Sequence, residues 1–323
     1  MNAPVRGRDW WWVVGLSLLA VVFYYLNVLM VAFLVPLQVL YARRGRQAFL
    51  QGAVVVLVGI AAIGFALDGA SGGLALRLLP IGIEVGEVLL LLLGLLAVNV
   101  RLVGIGRRIY RLLAVTGILG VLSVPLLVYA SQSGEVTSAI RGMVKATLAL
   151  VQSSLGMSPD SLAQYSDVDK ATALLKGIVF RGYLFAYFVM LAASWRLGSS
   201  LGARTLEERP VPLSRFVLPE AVLWPVLASW ATVVIDRFVH LGVVAYLAWN
   251  TGLIGAFLYA LAGVGIVEHL MDRLRVGRGV RLLLMLGVLL LLMVPGVGVV
   301  LAALLTVLGI SELWVRFGRV GRS

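Results

Sequence analysis

Apolar runs long enough to cross a bilayer recur along the whole chain, and they decide its class of fold. A transmembrane helix needs about 20 apolar residues, because each residue advances about 1.5 Å through a hydrocarbon core of about 30 Å. The apolar runs cover residues 10–41, 49–66, 80–100, 112–130, 171–195, 216–235, 241–271 and 282–314. The sequence therefore predicts an all-α, polytopic transmembrane helical bundle of about eight spans.

The composition excludes several other classes of protein. Hydrophobic residues make up 61% of the 323 residues and charged residues 13%, whereas soluble domains are about 45–50% apolar and about 25% charged. We expect one integral membrane domain over residues 1–323, with no large soluble domain. The absence of cysteine excludes disulfides and thiolate metal sites, and two histidines cannot form a multi-histidine centre. We expect neither a metal site nor a cofactor.

The first and last apolar runs, 10–41 and 282–314, are too long for one simple span and short for two. Each can form a hairpin that enters and leaves the membrane on the same side, turning at Asn27 and at Pro295-Gly-Val-Gly298. Each can instead form one long tilted helix. We favour hairpins, which raise the count to eight to ten spans, because broken backbone is tolerated at membrane depth where protein covers it.

Basic residues are concentrated in alternate loops. Twenty of the 27 Lys and Arg residues lie in the segments 6–8, 43–46, 101–111, 196–215, 273–281 and 316–322. The positive-inside rule predicts that these segments and both termini are cytoplasmic. The net charge of +12 then reflects loops that face anionic lipid, and we expect the bilayer, not nucleic acid, as the partner.

The polar insertion at residues 131–170 contains a predicted amphipathic helix. Apolar residues recur every three or four positions from Glu135 to Leu155, with charged residues between them. The charge pattern places this helix outside the cytoplasm. It would rest among the lipid headgroups or cover the bundle as a lid.

Two carboxylates near the start of the third run are the first candidates for a ligand site. Glu84 and Glu87 are three residues apart and share one helical face. Ionisable groups inside a membrane are costly, and those present are commonly functional. The pair would bind a cation or a substrate amine, or would simply lie in water at the outer interface, since the predicted span begins at Pro80.

A second candidate set lies in the run 241–271. Tyr246, Trp249 and Asn250 combine polar and aromatic groups suited to lining a pocket, and Tyr259 completes the predicted ligand-binding set. Helix packing is the alternative, because small residues follow that let another helix approach closely. These small residues are Gly252, Gly255, Ala256, Ala260, Gly263 and Gly265.

No catalytic constellation is recognisable. Glu268, His269, Asp272 and Arg273 do not match the HExxH zinc signature and are better interpreted as interfacial ion pairs. Asp236 and His240 would form a proton-sensitive pair or merely supply polar groups to a short turn. Nucleotide-binding and hydrolase motifs are absent, so we expect no enzyme activity and no ATP hydrolysis by this chain.

Several short motifs carry a family resemblance: Pro36 to Arg46, Phe216-Val-Leu-Pro219 with Trp224, the stretch from Trp249-Asn250 to Gly263, and Leu308-Gly309-Ile310-Ser-Glu312-Leu-Trp314-Val-Arg316. Over most of its length the chain resembles the YybS-like family of bacterial membrane proteins, which implies a place in the bacterial inner membrane. The resemblance also implies a distant similarity to the substrate-capturing subunits of energy-coupling-factor transporters. Those helical bundles bind a vitamin or metal from outside and dock onto a coupling protein with ATPases.

The leading hypothesis is a transport-type protein that binds a small solute and has no ATPase of its own. Its expected partners are a small-molecule or ion ligand and a membrane protein, either a coupling subunit or a second copy. The alternative is a membrane scaffold that packs against other proteins through its small-residue faces. Ligand identity, transport direction and oligomeric state are not encoded in any pattern that we identify.

Overall fold

A computed structural model describes residues 7–26, 30–67, 74–100, 108–155, 168–203, 210–294 and 296–315. Every regular element within these ranges is helical, which confirms the all-α prediction. The chain divides into two compact units, Met1–Arg209 (unit 1) and Pro210–Ser323 (unit 2). Apolar helices build both units, and a single membrane domain stays a prediction.

Unit 1 contains six described helices. They are α1 (Gly7–Tyr25), α2 (Val35–Leu67), α3 (Leu74–Asn99), α4 (Arg108–Gln132), α5 (Gly134–Leu155) and α6 (Val168–Gly202). A short 3₁₀ turn, Met30–Ala32, precedes α2. The run predicted to begin at Pro80 begins six residues earlier, at Leu74, because proline is tolerated inside membrane helices whose neighbours satisfy the freed carbonyl.

Helix α2 is bent at Gly45. This residue has φ 81° and ψ −170°, a conformation that a β-carbon disfavours and glycine adopts freely. The bend divides α2 into a first arm, residues 35–44, and a second arm, residues 46–67. The side chain of Leu40, on the first arm, fills the space beside Gly52 on the second arm, so the two arms fold back on each other.

The first apolar run returns to the side from which it starts. Ser17 of α1 lies beside Gly52, and farther along both helices Tyr25 donates a hydrogen bond to the Ile60 carbonyl at 3.1 Å. Helix α1 and the second arm of α2 therefore run in the same direction, and residues 26–44 must bring the chain back. This arrangement agrees with the predicted hairpin, although the turn predicted at Asn27 lies outside the described residues.

The predicted amphipathic helix is present as α5, with its first residue one position earlier than predicted. It packs against the start of α6: Arg141 forms an ion pair with Asp169 at 2.5 Å, and Lys176 donates to the Thr137 hydroxyl at 2.6 Å. Most of its described side chains are exposed. The helix therefore lies along the outside of unit 1.

Unit 2 contains four described helices. They are α7 (Leu223–Val239), α8 (Val243–Arg273), α9 (Arg278–Leu292) and α10 (Val297–Ser311), preceded by the 3₁₀ turns Leu213–Arg215 and Glu220–Val222. Helix α8 lies against α7 and α10. Thr306 of α10 donates a hydrogen bond to the Ala256 carbonyl of α8 at 3.1 Å, so the two backbones are close.

The last apolar run is broken as predicted. The chain changes direction by 120° between helices α9 and α10, and Gly296 has φ 81° at the break. A single tilted helix is thus excluded, and a re-entrant or hairpin arrangement fits. Pro295, which the prediction placed in this turn, lies outside the described residues.

Six helices of the described chain are long and apolar enough to cross a membrane, or seven if the bent α9–α10 pair is counted as one span. The six ranges are Met30–Ala66, Ile81–Asn99, Arg108–Pro125, Val168–Gly202, Glu220–Val239 and Val243–Arg273. The prediction of about eight spans also counted the first run, where the structure has a shorter apolar helix, Trp10–Tyr25. The polytopic helical bundle is confirmed.

Candidate functional site

Glu84 and Glu87 lie well inside helix α3. Ten residues of helix precede Glu84 and twelve follow Glu87, the last of which is Asn99, so neither carboxylate is at a helix end. Both side chains are half-buried. The apolar span on this helix begins at Ile81, one turn before Glu84, so the interfacial interpretation and the ligand-binding one both stay predictions.

Tyrosines from two other helices face these carboxylates. The Tyr24 hydroxyl of α1 is close to Glu84 and interacts electrostatically with its carboxylate. Tyr187 of α6 is 8% exposed and is electrostatically coupled to Glu87. We call Tyr24, Glu84, Glu87 and Tyr187 the carboxylate cluster. It brings together polar groups of α1, α3 and α6.

Two small residues complete the surroundings of the carboxylate cluster. A β-carbon at Gly64 of α2 would stand 3.5 Å from Glu84 Oε2, so the missing side chain leaves room for the carboxylate. Ser123 of α4 is 1% exposed and close to Tyr187, and it donates its proton to the Gly120 carbonyl at 2.9 Å. Five helices of unit 1 thus meet at this level.

The chemistry of the cluster is that of a cation acceptor. Two carboxylates supply negative charge, and tyrosine rings attract organic cations through their faces. Within the described ranges no three Asp, Glu, His or Cys side chains are grouped so that they could hold a metal ion. An ammonium group or another monovalent cation matches the cluster better than a divalent metal.

The remaining predicted ligand-binding residues lie on α8 in unit 2. Asn250 is fully buried and donates to the Tyr246 carbonyl one turn earlier at 2.9 Å. Trp249 packs edge-on against Trp230 of α7, with ring centroids 5.7 Å apart. Tyr259 is 1% exposed, and its hydroxyl has no hydrogen-bond partner.

The small residues of α8 are in contact with neighbouring helices. A β-carbon at Gly255 would stand 2.0 Å from Val226 of α7, and one at Gly263 would stand 2.1 Å from the Leu305 carbonyl of α10. The packing alternative therefore describes this face of α8. The ligand-binding role of Tyr246, Trp249, Asn250 and Tyr259 stays a prediction, and the structure places them in a different unit from Glu84 and Glu87.

The sequence reasoning missed Tyr24, Ser123 and Tyr187. All three lie within apolar runs, where a polar side chain is a signal in itself. Nothing in the sequence shows that they converge on α3, because convergence depends on how helices distant in the chain pack.

A second polar layer links α2, α3 and α6. Gln38 is 1% exposed, and its amide exchanges two hydrogen bonds with the Asn99 amide, at 3.0 and 2.7 Å. Gln38 also donates to the Ser199 hydroxyl at 2.9 Å. We call Gln38, Asn99 and Ser199 the amide layer.

Arginines gather around this layer. Arg43 donates to the Leu201 carbonyl at the end of α6, and Arg111 donates to the Val98 carbonyl at the end of α3, both at 3.1 Å. Arg108 stacks over the Trp195 ring at 5.2 Å. Cations next to helix C-termini are favourable because the last carbonyls carry partial negative charge. These contacts bring three predicted basic segments to one end of unit 1, which we call the arginine end.

Acidic residues near the ends of α8 have structural partners. Glu268 accepts a hydrogen bond from the Ser214 amide at 2.9 Å, and Asp272 forms an ion pair with Arg281 at 2.6 Å. Asp236 accepts from the Leu241 amide at 2.7 Å in the turn between α7 and α8, where His240 has φ 53°. These contacts fit the interpretations as ion pairs and turn formation.

Comparison with known proteins gives one result. No curated protein and no solved structure matches the chain. A model of the family described as predicted membrane protein (DUF2232) matches residues 14–311, which is most of the chain. The apolar helices of both units fit that description. The chain therefore belongs to the DUF2232 family of predicted membrane proteins.

Proposed function

We propose that this protein binds a small cationic solute at the carboxylate cluster and acts as the binding component of a transport system. The observation that supports it is the placement of Glu84 and Glu87 inside the bundle, faced by tyrosines from α1 and α6. The bilayer supplies no counter-charge at such a site, so a cationic ligand would be stabilised strongly there.

The depth of the cluster follows from helix geometry. Glu87, Ser123 and Tyr187 are each twelve residues from Asn99, Arg111 and Ser199, respectively. Twelve residues span about 18 Å of α-helix, so all three lie at one level about 18 Å from the amide layer. With a hydrocarbon core of about 30 Å, this level is within the membrane and nearer the end opposite the arginine end.

The proposal includes the side of the membrane on which the arginine end lies. We assign the arginine end and both termini to the cytoplasm of a bacterial cell by the positive-inside rule. The carboxylate cluster then lies in the outer half of the membrane, and α5 lies on the outside near it. A solute would enter from outside, as expected for a capturing subunit.

We also propose that the chain is related to the YybS-like proteins and, distantly, to the substrate-capturing subunits of energy-coupling-factor transporters. Unit 1 contains six described helices, about the number in the core of such subunits. The chain lacks a phosphate-binding loop, so energy would come from a partner protein or from an ion gradient.

The scaffold alternative loses support on α8 and keeps it on α3. It requires small-residue faces that are open to other proteins: Gly255 and Gly263 of α8 are occupied by α7 and α10, whereas Gly82 and Gly86 of α3 have open space beside them. Like those of α8, Gly198 and Gly202 of α6 are occupied, here by α2 at Gln38 and Ala42. We also propose binding rather than catalysis, since the acids that a catalytic cluster would use, Glu268 and Asp272, are engaged in structural contacts.

Thermal unfolding of the full chain in detergent tests the proposal. The ligand panel contains small amines, quaternary ammonium ions, a cationic vitamin, metal ions and nucleosides, each with a neutral or acidic analogue. A cation at about 100 times its Kd stabilises the folded state by about 2.7 kcal/mol, which raises Tm by several degrees. The neutral analogue should give no shift.

Two variants separate a site effect from a general one. Glu87→Gln should abolish the ligand-induced shift, whereas Glu220→Gln, which changes an exposed carboxylate in a turn of unit 2, should retain it. An unchanged shift in Glu87→Gln would refute the site. Failure of every cation to stabilise the folded protein would refute the function.

A further inference from the structure

A cavity of about 420 Å³ opens at the arginine end of unit 1. Its lining combines two basic side chains with an indole and apolar groups: Trp12, Leu16, Leu40, Arg43, Arg44 and Ala203. This cavity is separate from the carboxylate cluster, and nothing in the proposed transport function uses it. Its volume is in the range of small-molecule sites, about 300–1,000 Å³.

Three elements form the cavity, and each is held in place. Trp12 and Leu16 come from the first turns of α1, and the arginines end the first arm of α2 just before the bend at Gly45. Helix α6 closes the third side, where a β-carbon at Gly202 would stand 2.5 Å from the Ala42 β-carbon. The hydrogen bond from Arg43 to the Leu201 carbonyl fixes one guanidinium at the rim.

The lining has the chemistry of an anionic amphiphile. Consecutive arginines place two positive charges on one wall, and guanidinium groups bind phosphate oxygens through paired hydrogen bonds. Leu40 is 1% exposed and Leu16 is half-buried, so apolar side chains lie beside the arginines in the lining. Among the described residues, the lining includes no acidic side chain that would repel a phosphate.

The position of the cavity favours a lipid as the source of the phosphate. Trp10, Trp11 and Trp12 are all exposed, to 47%, 76% and 53% respectively. Tryptophan is enriched in membrane proteins at the level of the lipid headgroups. Basic pockets between membrane helices bind anionic headgroups. A headgroup at the arginines would direct its acyl chain along Leu16 and the exposed apolar side of α1.

We propose that this cavity binds the phosphate group of an anionic phospholipid, with the headgroup on Arg43 and Arg44 and the start of the acyl chain on Leu16 and Leu40. The lipid would join α1, α2 and α6 at the arginine end.

The test is thermal unfolding of the delipidated full chain in detergent with three probes: phosphatidylglycerol, phosphatidylcholine and inorganic phosphate. Phosphatidylglycerol should raise Tm by several degrees in a saturable manner, and phosphatidylcholine should have little effect because its headgroup carries no net charge. Inorganic phosphate should have little effect because it lacks the acyl chain. Equal stabilisation by inorganic phosphate would overturn the lipid source and leave a free-phosphate site.

Matched variants connect the effect to the cavity. Arg44→Gln should weaken phosphatidylglycerol binding about tenfold, as expected when one charge-assisted hydrogen bond is lost. Arg46→Gln removes the same charge from an exposed residue outside the lining and should have little effect. Trp12→Leu and its control Trp11→Leu form a second pair that leaves every arginine in place. Equal losses in variant and control, or no shift with phosphatidylglycerol, would overturn the proposal.

Discussion

Single polar side chains determine how the helices of unit 1 meet. Gln38 is almost completely buried and has partners on two other helices, Asn99 and Ser199. A buried amide that loses a partner keeps its desolvation penalty without the compensating bond. The amide layer therefore stabilises one arrangement of α2, α3 and α6 and penalises shifted ones.

Substitution of Ser199 tests the amide layer. Ser199→Ala removes the acceptor of one Gln38 hydrogen bond and should destabilise the folded protein by about 1 kcal/mol, a typical value for a side-chain hydrogen bond between membrane helices. Ser200→Ala is the control, because Ser200 is the next residue of α6 and is exposed. Equilibrium unfolding in mixed detergent micelles measures both. Equal stability of the two variants would contradict the role given to Ser199.

At the scale of helices, close approach of backbones holds α8 and α10 together. A β-carbon at Gly309 would stand 1.9 Å from the Tyr259 carbonyl oxygen and 3.0 Å from the Gly263 amide nitrogen. Both atoms are backbone and cannot rotate away. A side chain at position 309 would therefore force the helices apart, since packed interiors have no free volume to absorb it.

Gly309→Ala should therefore destabilise unit 2 by about 1–3 kcal/mol or more, the usual cost of overpacking. Gly287→Ala is the matched control: Gly287 lies in α9, and a β-carbon there meets no atom within 4 Å. Alanine has the higher helix propensity, so the control should be neutral or slightly stabilising. Thermal unfolding compares the two, and a stable Gly309→Ala protein would contradict the packing argument.

The helices differ in how well the sequence predicts their boundaries and contacts. Helix α5 is predicted almost to the residue, because its apolar period follows the helical repeat. The start of α3 is missed at Leu74, because Pro80 gives a false boundary in a helix that neighbouring helices can support. Glu84 and Glu87 are recognisable as unusual, whereas the tyrosines that face them are set by tertiary packing, for which one sequence contains no signal.

Across the whole molecule, the arginines of unit 1 show a simple order. Segments separated by more than 150 residues, such as those of Arg43 and Leu201, meet at one end, and Glu87 lies about 18 Å away from that end. The gathering of basic residues at one end is the pattern that the positive-inside rule requires of a cytoplasmic face. It links the sidedness of the chain to the direction from which a solute would reach the carboxylate cluster.

Single cysteine substitutions test which side of the membrane the arginine end faces. No other thiol of the protein is labelled, because the chain contains no cysteine. Ser200→Cys places an exposed thiol at the arginine end, and Ser138→Cys places an exposed thiol on α5; each substitution changes only oxygen to sulfur. A membrane-impermeant maleimide should label Ser138→Cys in intact cells and Ser200→Cys only after the membrane is permeabilised. The opposite pattern would place the arginine end outside. The carboxylate cluster would then open toward the cytoplasm, and solute capture from the exterior would have to be abandoned even if cation binding in detergent persisted.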